Sequence, residues 1–558
     1  MTDDKKKSSP VEKIKTASEN LRGTIAEGLR DAATGAIAED DTQLTKFHGI
    51  YQQDDRELRA ERARQKLEPA YSFMARVRVP GGRCTTEQWL ALDSLAQQYG
   101  GGALRITTRQ AVQFHGLLKR DLKATIQGID RSLMDTFAAC GDVNRNVMCT
   151  PLAEQSPVHA SALHWAQILS DQLTPKTGAY NEIWLDGKKV TSQESATAES
   201  EPLYGPTYLP RKFKIAIAIP PHNDVDVFAH DLGFIAIERD GQLIGFNVTV
   251  GGGMGATHND PATYPRLADV IGFCPPDQVV AVAEAVITTQ RDFGDRSERK
   301  HARLKYTIDD GGLDWFSAEV SRRSGYKFQP SVEFKFTSNA DRFGWQHGTD
   351  DLWHLALFVP SGRVVDRDNQ RWSSGLRAVA EIHEGDFLLT PNQNLIISGV
   401  SATARERIDN LLAEYGLDLW KELTPLRLNA MACVALPTCG LAMAEAERYL
   451  PDFMDRVAAV LARHKLPGDD ITVRITGCPN GCARPYVADI GLVGKAPGRY
   501  NLFLGGGHAG QRLNRLVKEN LDENAILEHL DPIFGRYAAG RQDNEAFGDW
   551  LNRAELAA

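Results

Sequence analysis

The chain has 558 residues, a formal net charge of -9, 42% hydrophobic and 25% charged residues. That is ample for a large core without disulfide staples, and for three or four domains at roughly 150 residues each. The acidic balance excludes a global basic field for nucleic acid or anionic membrane, yet leaves 64 Lys and Arg to gather around a small anion. No run of about 18 apolar residues suggests a membrane span. The start MTDDKKKSSPVEKIK has no apolar stretch of the secretory kind. The eight cysteines are therefore expected as thiols in a reducing, cytoplasmic setting.

Residues 1–65 read as an extended, mostly helical arm, and the polar run FHGIYQQDDRELRAERARQKLEP (47–69) is expected to wrap another surface. Apolar alternation begins in YSFMARVRVPGG, a strand ending at Pro80. TTEQWLALDSLAQQYGGG reads as a helix capped by Thr85 or Thr86 and stopped by glycine. ALRITTRQAVQFHGL (103–117) gives two short strands around a polar turn. DGKKVTSQESATAESEPLYGP (186–206) reads as a solvated surface loop.

The pattern then repeats. WHLALFVPSGRVVD (353–366) and GLRAVAEIHEGDFLLTPNQNLIISGV (375–400) again give strand, helix, strand, turn and strand, with Gln110 and Gln393 at matching turn positions. A second pair of segments, 209–255 and 473–510, each ends in a strand running into Gly-Gly-Gly. A duplication of such long period implies two pseudo-symmetric halves, with a cofactor between them. The fold class is α+β with mixed sheets. The glycine runs lack a Gly-Lys-Ser/Thr ending and read as structural turns rather than phosphate loops.

Cys84, Cys140, Cys149 and Cys274 sit singly among apolar neighbours and read as small buried hydrophobes. The other four come in pairs: Cys433 with Cys439, and Cys478 with Cys482. Thiolates suit both iron–sulfur clusters and zinc. Structural zinc prefers tighter spacing in a small independent module, so the spacing favours a cluster while zinc stays open. GLAMAEAERYL after Cys439 reads as a helix whose N-terminus would favour an anionic cluster. In TGCPNGCARP, Pro479 and Asn480-Gly481 require a tight turn with exposed amides.

CVALPTCGLAMAEAER followed by TGCPNGCARP resembles the signature of the siroheme nitrite and sulfite reductases. The resemblance runs over nearly the whole chain, through LRGTIAEGL, FHGIYQQDDRELRAER, RITTRQAVQFHG, NRNVMCT, YLPRKFK, GFNVTVGGGMG, TTQRDFGDR, NQNLIISGV and VGKAPGRYNL. It is strongest toward the bacterial NADPH-dependent, assimilatory branch. Two departures are Ala483 where the family more often has glycine, and an end at FGDWLNRAELAA where longer members continue.

The resemblance implies a duplicated fold with an arm (1–70), ferredoxin-like half-domains (71–137 with 330–414), a first siroheme and anion domain (138–329) and an iron–sulfur and siroheme domain (415–558). It implies a 4Fe-4S cluster on Cys433, Cys439, Cys478 and Cys482, with Cys482 also ligating the siroheme iron. It places Arg78, Arg145, Lys212 and Lys214 around the anion. Arg109, Gln113, Asn144, Arg211 and Asn480 would contact siroheme, with Arg105, Lys300, Arg303 and Lys305 as further carboxylate partners. Arg76 and Arg78 alternate along one strand and are expected on one face. Crowding should depress the pKa of Lys212 or Lys214. His115 reads as a satisfied strand histidine.

The activity implied is six-electron reduction of sulfite to sulfide, in sulfur assimilation and cysteine biosynthesis. Nitrite reduction is the alternative, and a non-enzymatic metal module a more distant one. Lys214 speaks for sulfite, since nitrite-type members tend to carry Asn there. No flavin or nicotinamide fingerprint is evident. Electrons are therefore expected from a separate NADPH-dependent flavoprotein, with a ferredoxin as alternative, and the arm is a candidate docking element.

Overall fold

The computed structural model describes residues 8–186 and 201–554. Most of the expected loop at 186–206 lies outside the described residues. Four five-stranded sheets carry the fold, and they come as two matched pairs.

In the first pair, Tyr71–Val77, Leu104–Ile106 and Val112–Leu117 match Trp353–Leu357, Asp386–Leu389 and Leu395–Val400. Helix Thr86–Tyr99 covers one sheet and Trp372–Ile382 the other. The first of these starts where a capping box is written: Thr85 accepts from Gln88 N at 3.2 Å, and Gln88 Oε1 accepts from Thr85 N at 3.0 Å. The halves exchange short strands. Arg363–Val364 joins the first sheet beside Leu104–Arg105, and Arg83–Thr85 joins the second beside Asp386–Leu388. Gln110 and Gln393 both sit at positive φ, 48° and 71°. Gln110 Nε2 donates to Leu389 O at 2.9 Å and so braces one half against the other.

The second pair places Met148–Cys149, Ile215–Ala218, Leu232–Arg239, Gln242–Val250 and Asp269–Cys274 in one sheet. Met431–Ala432, Val473–Thr476, Ile490–Ala496, Arg499–Leu504 and Arg515–Leu521 make the other in the same order. In both, the first three strands are parallel and the rest antiparallel. The glycine runs are structural: Gly251 (φ 88°) and Gly505 (φ 89°) donate to Asp231 O and Asp489 O at 2.9 and 3.0 Å.

The N-terminal segment differs from a detached arm. Ile50–Asp54 pairs with Tyr71–Val77 as the edge of the first sheet. Leu21, Ile25, Leu44 and Phe47 enter the same core as the half-domains. Apolar residues spaced between charges gave the segment enough burial to fold onto its own chain. Among the described residues, no helix is long and apolar enough to cross a membrane.

Candidate metal and anion centre

Strands Met431–Ala432 and Val473–Thr476 run parallel, and each delivers cysteines just past its end. Cys433 N donates to Ile475 O at 3.2 Å, and Gly477 N donates to Cys433 Sγ at 3.3 Å. Gly481 at φ 64° closes the turn from Cys478 to Cys482, and Asn480 Nδ2 lies 3.6 Å from Cys478 Sγ. Cys478 is buried, Cys433 and Cys439 are half-buried, and Cys482 is exposed.

The helix expected directly after Cys439 is absent: residues 440–449 are turns, and the helix is Leu450–Arg463. Met443 N and Ala444 N donate to Gly477 O at 2.7 and 3.1 Å, and Glu447 N to Cys433 O at 3.1 Å. The amides a helix would need are spent on neighbouring loops. Arg56 supplies positive charge instead, donating through Nη1 to Cys439 O at 3.2 Å and to Ala442 O.

Burial and the neighbouring thiolates push the Cys433, Cys439 and Cys478 thiols up, that of Cys478 to about 12. Four thiolates gathered here need a strongly cationic partner to stay ionised. Among the described residues, no three or more His, Cys, Asp or Glu are arranged to hold a metal ion. A tetrahedral zinc would draw its sulfurs to within about 4 Å of one another. All-thiolate ligation by four cysteines from two loops of a large domain suits the body of an iron–sulfur cluster.

Beside Cys482 lies a crowd of cations. Burial, followed by Arg145, Arg211 and Arg303, drives Lys212 well below the usual lysine range, with Cys482 opposing. Burial and then Arg109, Lys212 and Arg303 do the same to Lys214. The expected depression is present, and burial outweighs crowding in causing it. Arg109 falls to about 9, through burial first and Arg145 next. Arg211 falls to about 10, through burial and then Arg299. Arg303 is neutralised by Asp231 at 2.9 Å and Arg299 by Asp142 at 2.9 Å. Among the described residues, Arg76, Arg109, Arg145, Arg211, Lys212 and Lys214 have no carboxylate within ion-pair distance. Arg109 Nε, Asn144 Oδ1 and both nitrogens of His115 are buried without hydrogen-bond partners. Unpaired cations and orphaned polar atoms at such depth fit a polyanionic ligand such as siroheme.

Several side chains lie elsewhere than expected. Arg78 is turned away: its guanidinium grips Asp135 at 2.6 and 3.1 Å and donates to Ser170 Oγ at 3.0 Å and Thr174 Oγ1 at 2.5 Å. The strand ends at Val77, before Arg78, so strict alternation no longer sets its direction. Arg76 is the arginine that faces inward. It sits opposite Gln113 in register and donates through Nη1 to Cys140 Sγ at 2.8 Å; with the Gln113 amide turned to bring its oxygen to the guanidinium, that oxygen accepts from Nη2 at 2.6 Å and Nε at 3.2 Å. Lys305 spends its three protons on the carbonyls of Gly253, Gly255 and Tyr264, which makes it a brace and leaves no donor for a carboxylate. Lys300 pairs with Asp260 at 3.2 Å in a half-exposed position. Arg105 pairs with Glu447 at 3.1 Å, donates to Ala432 O and lies near Cys433 and Cys482, on the thiolate side. His115 is no satisfied strand histidine: both ring nitrogens lack hydrogen-bond partners, and burial first, then Arg363, Arg105 and Arg76, drive it well below the usual histidine range. In the sequence, Arg76 is marked only by its alternation with Arg78, and His115 by sharing a strand face with Gln113.

A four-thiolate centre abutting a pocket of unpaired cations, built at the junction of a duplicated fold, defines a redox protein that handles a small anion. The comparisons narrow this. The model for the nitrite and sulphite reductase 4Fe-4S domain matches residues 164–328 and 424–557, and that for the nitrite/sulfite reductase ferredoxin-like half domain matches 64–131 and 346–415. The chain belongs to the nitrite and sulfite reductase family. It is 59% identical to the sulfite reductase [NADPH] hemoprotein beta-component of Myxococcus xanthus, over 98% of this chain and 96% of that one. It is 58% identical to the protein of the same description from Acidithiobacillus ferrooxidans, with the same coverage. The solved Mycobacterium tuberculosis NirA protein shares the fold, with TM-score 0.78 and 23% identity over 98% of this chain and 97% of that one.

Proposed function

We propose that the protein reduces sulfite to sulfide in the cytoplasm, as the hemoprotein partner of an NADPH-drawing flavoprotein; ferredoxin is the alternative donor. The supporting observation is the set of carboxylate-free cations around Lys212 and Lys214, next to Cys482. Cys433, Cys439, Cys478 and Cys482 would hold a 4Fe-4S cluster, and Cys482 would also reach the siroheme iron. Arg76, Arg109, Gln113, His115, Asn144, Arg211 and Asn480 would meet the siroheme periphery. Siroheme and cluster, when bound, supply an iron for the sulfite sulfur and a route for single electrons.

Arg145, Lys212 and Lys214, with Arg76, would bind the sulfite oxygens and stabilise charge that grows on each as its bond to sulfur breaks. Each oxygen leaves as water, so protons must be handed to it. An ammonium whose pKa is pulled down by burial gives up its proton readily, which suits both lysines to that role. Arginine stays charged throughout and holds the anion between transfers.

Nitrite is the second substrate to test, and Lys214 is the residue that separates the two readings. With a chemical reductant, Lys214→Asn should lower kcat for sulfite about a hundredfold and for nitrite distinctly less. An equal loss for both substrates would remove Lys214 from the choice. A colourless purified protein lacking acid-labile sulfide would sink the cofactor reading altogether.

A further inference from the structure

Arg484 stands two residues beyond Cys482, in a left-handed backbone conformation (φ 53°, ψ 50°). Its counterpart in the other half is Asp226, 258 residues earlier and also left-handed (φ 49°, ψ 60°). The strands before them, Ile215–Ala218 and Val473–Thr476, keep the same interval, as do the short 3-10 turns that follow, Val227–Ala229 and Pro485–Val487. These two equivalent residues bind each other: Arg484 Nε donates to Asp226 Oδ2 at 2.5 Å. Arg474 Nη1 joins the same oxygen at 2.6 Å, and Asn339 Nδ2 donates to Asp226 Oδ1 at 2.9 Å. The side chains of Asp226, Arg474 and Arg484 are 0%, 3% and 5% exposed.

Arg484 has further donors, and each reaches a different part of the molecule. Nη1 donates to Thr108 O at 3.0 Å, in the turn of the first half-domain. Nη2 donates to Pro391 O at 3.1 Å and Asn392 Oδ1 at 3.0 Å, in the matching turn of the second. Thr108 Oγ1 in turn donates to Cys482 O at 3.0 Å. One guanidinium thus joins both half-domain turns, the Asp226 loop and the Cys482 loop.

We propose that Arg484, anchored by Asp226, is a positioning residue that fixes the Cys482 backbone, and through it the electronic contact between cluster and siroheme. Arginine's fork of donors is what allows one residue to meet all four partners; a lysine ammonium cannot span them. The proposal rests on Cys482 being the shared ligand.

The test uses the full-length, cofactor-loaded protein and three variants: Arg484→Gln, Arg484→Lys and Arg78→Gln. The last breaks the Arg78–Asp135 pair, which touches no cysteine. Iron, acid-labile sulfide, Tm and the magnetic coupling between cluster and heme are measured for each. Both Arg484 variants should keep four cluster irons' worth of sulfide per chain yet lose most of the coupling signal, with Arg484→Lys restoring little of it. Arg78→Gln should lower Tm and leave the coupling intact. Should Arg484→Gln not fold, Arg484→Lys decides. Native coupling in the Arg484 variants overturns the proposal, and so does an equal loss of coupling in Arg78→Gln. A wild-type protein without coupling would instead refute the shared-ligand reading, before any substitution is made.

Discussion

At residues 223–226 and 481–484 the two halves carry the same turn with different side chains: Asp226 N donates to Asn223 O at 2.8 Å, and Arg484 N to Gly481 O at 2.9 Å. Thr150 N donates to Ile217 O at 3.0 Å, just as Cys433 N donates to Ile475 O at 3.2 Å, so Thr150 holds in one half the position of Cys433 in the other. By the same interval Asp224 corresponds to Cys482 and Pro220 to Cys478. Where one half presents thiols, the other closes on itself: Thr150 Oγ1 donates to Asp224 Oδ1 at 2.7 Å. A small cavity remains there, lined by Leu152, His222, Asp224, Arg342, Thr390 and Ile396 among others. Backbone and sheet order alone therefore do not make a redox site. A few side chains at the ends of two parallel strands do, and the second copy serves as a frame.

The largest break in this comparison is Cys482→Ser. A hydroxyl is a poor ligand for iron at this position, and on the proposed reading both centres depend on the same sulfur. Sulfite reduction should fall by at least about a thousandfold, and the heme spectrum should change with the loss of cluster coupling. The matching change in the other half, Asp224→Ser, should leave spectrum and rate within about twofold. A Cys482→Ser protein with a normal heme spectrum would show that the centres do not share this residue.

Arg76 and Arg78 sharpen the comparison on a smaller scale, because two neighbouring arginines of one segment have been given different work. Arg76→Ala should lower kcat/KM for sulfite by about 10- to 100-fold, equivalent to roughly 1.4–2.7 kcal/mol, with little change in Tm. Arg78→Ala removes one partner of a largely buried pair with Asp135 and should cost about 2–3 kcal/mol of stability, with kcat/KM close to wild type. Melting curves and steady-state kinetics on both variants check the split. The reverse pattern would return Arg78 to the anion site.

Much of this was legible because local rules agreed with the fold. Thr85 and Gln88 wrote their capping box, Gln110 and Gln393 marked equivalent turns, and four cysteines past two strand ends marked a candidate metal site. What escaped depended on partners distant in sequence. LAMAEAERYL has helix-forming composition, but its amides answer to Gly477 and Cys433. The side-chain direction of Arg78 is set by Asp135, and Lys305 is captured by three carbonyls contributed from residues 253–264. The polar N-terminal segment contains an edge strand that only Tyr71–Val77 reveals. Arg484 gave no signal at all in the sequence, since its role lies in joining loops hundreds of residues apart.

The gentlest test of the comparison is Asp224→Asn, which should touch stability and leave catalysis alone. Burial, helped by the neighbouring Asp341 carboxyl, pushes Asp224 up to about 7, against the opposing Thr150 and Val225 hydrogen bonds and Arg342. In the unfolded chain an aspartate titrates near about 3.9. Between these values the folded state holds a proton that the unfolded state lacks, so the contribution is complete below about pH 4 and is lost as pH rises through about 7. Asparagine keeps an oxygen to accept from Thr150 Oγ1 and Val225 N but carries no charge to bury. The variant should therefore match wild type near pH 4 and exceed it by about 2–4 kcal/mol at pH 8, with an unchanged heme spectrum at both. Denaturant melts at the two pH values measure this. A stability difference independent of pH would mean that Asp224 is ionised in the fold. A shifted spectrum would mean that the Asp224 half reaches the metal centre after all.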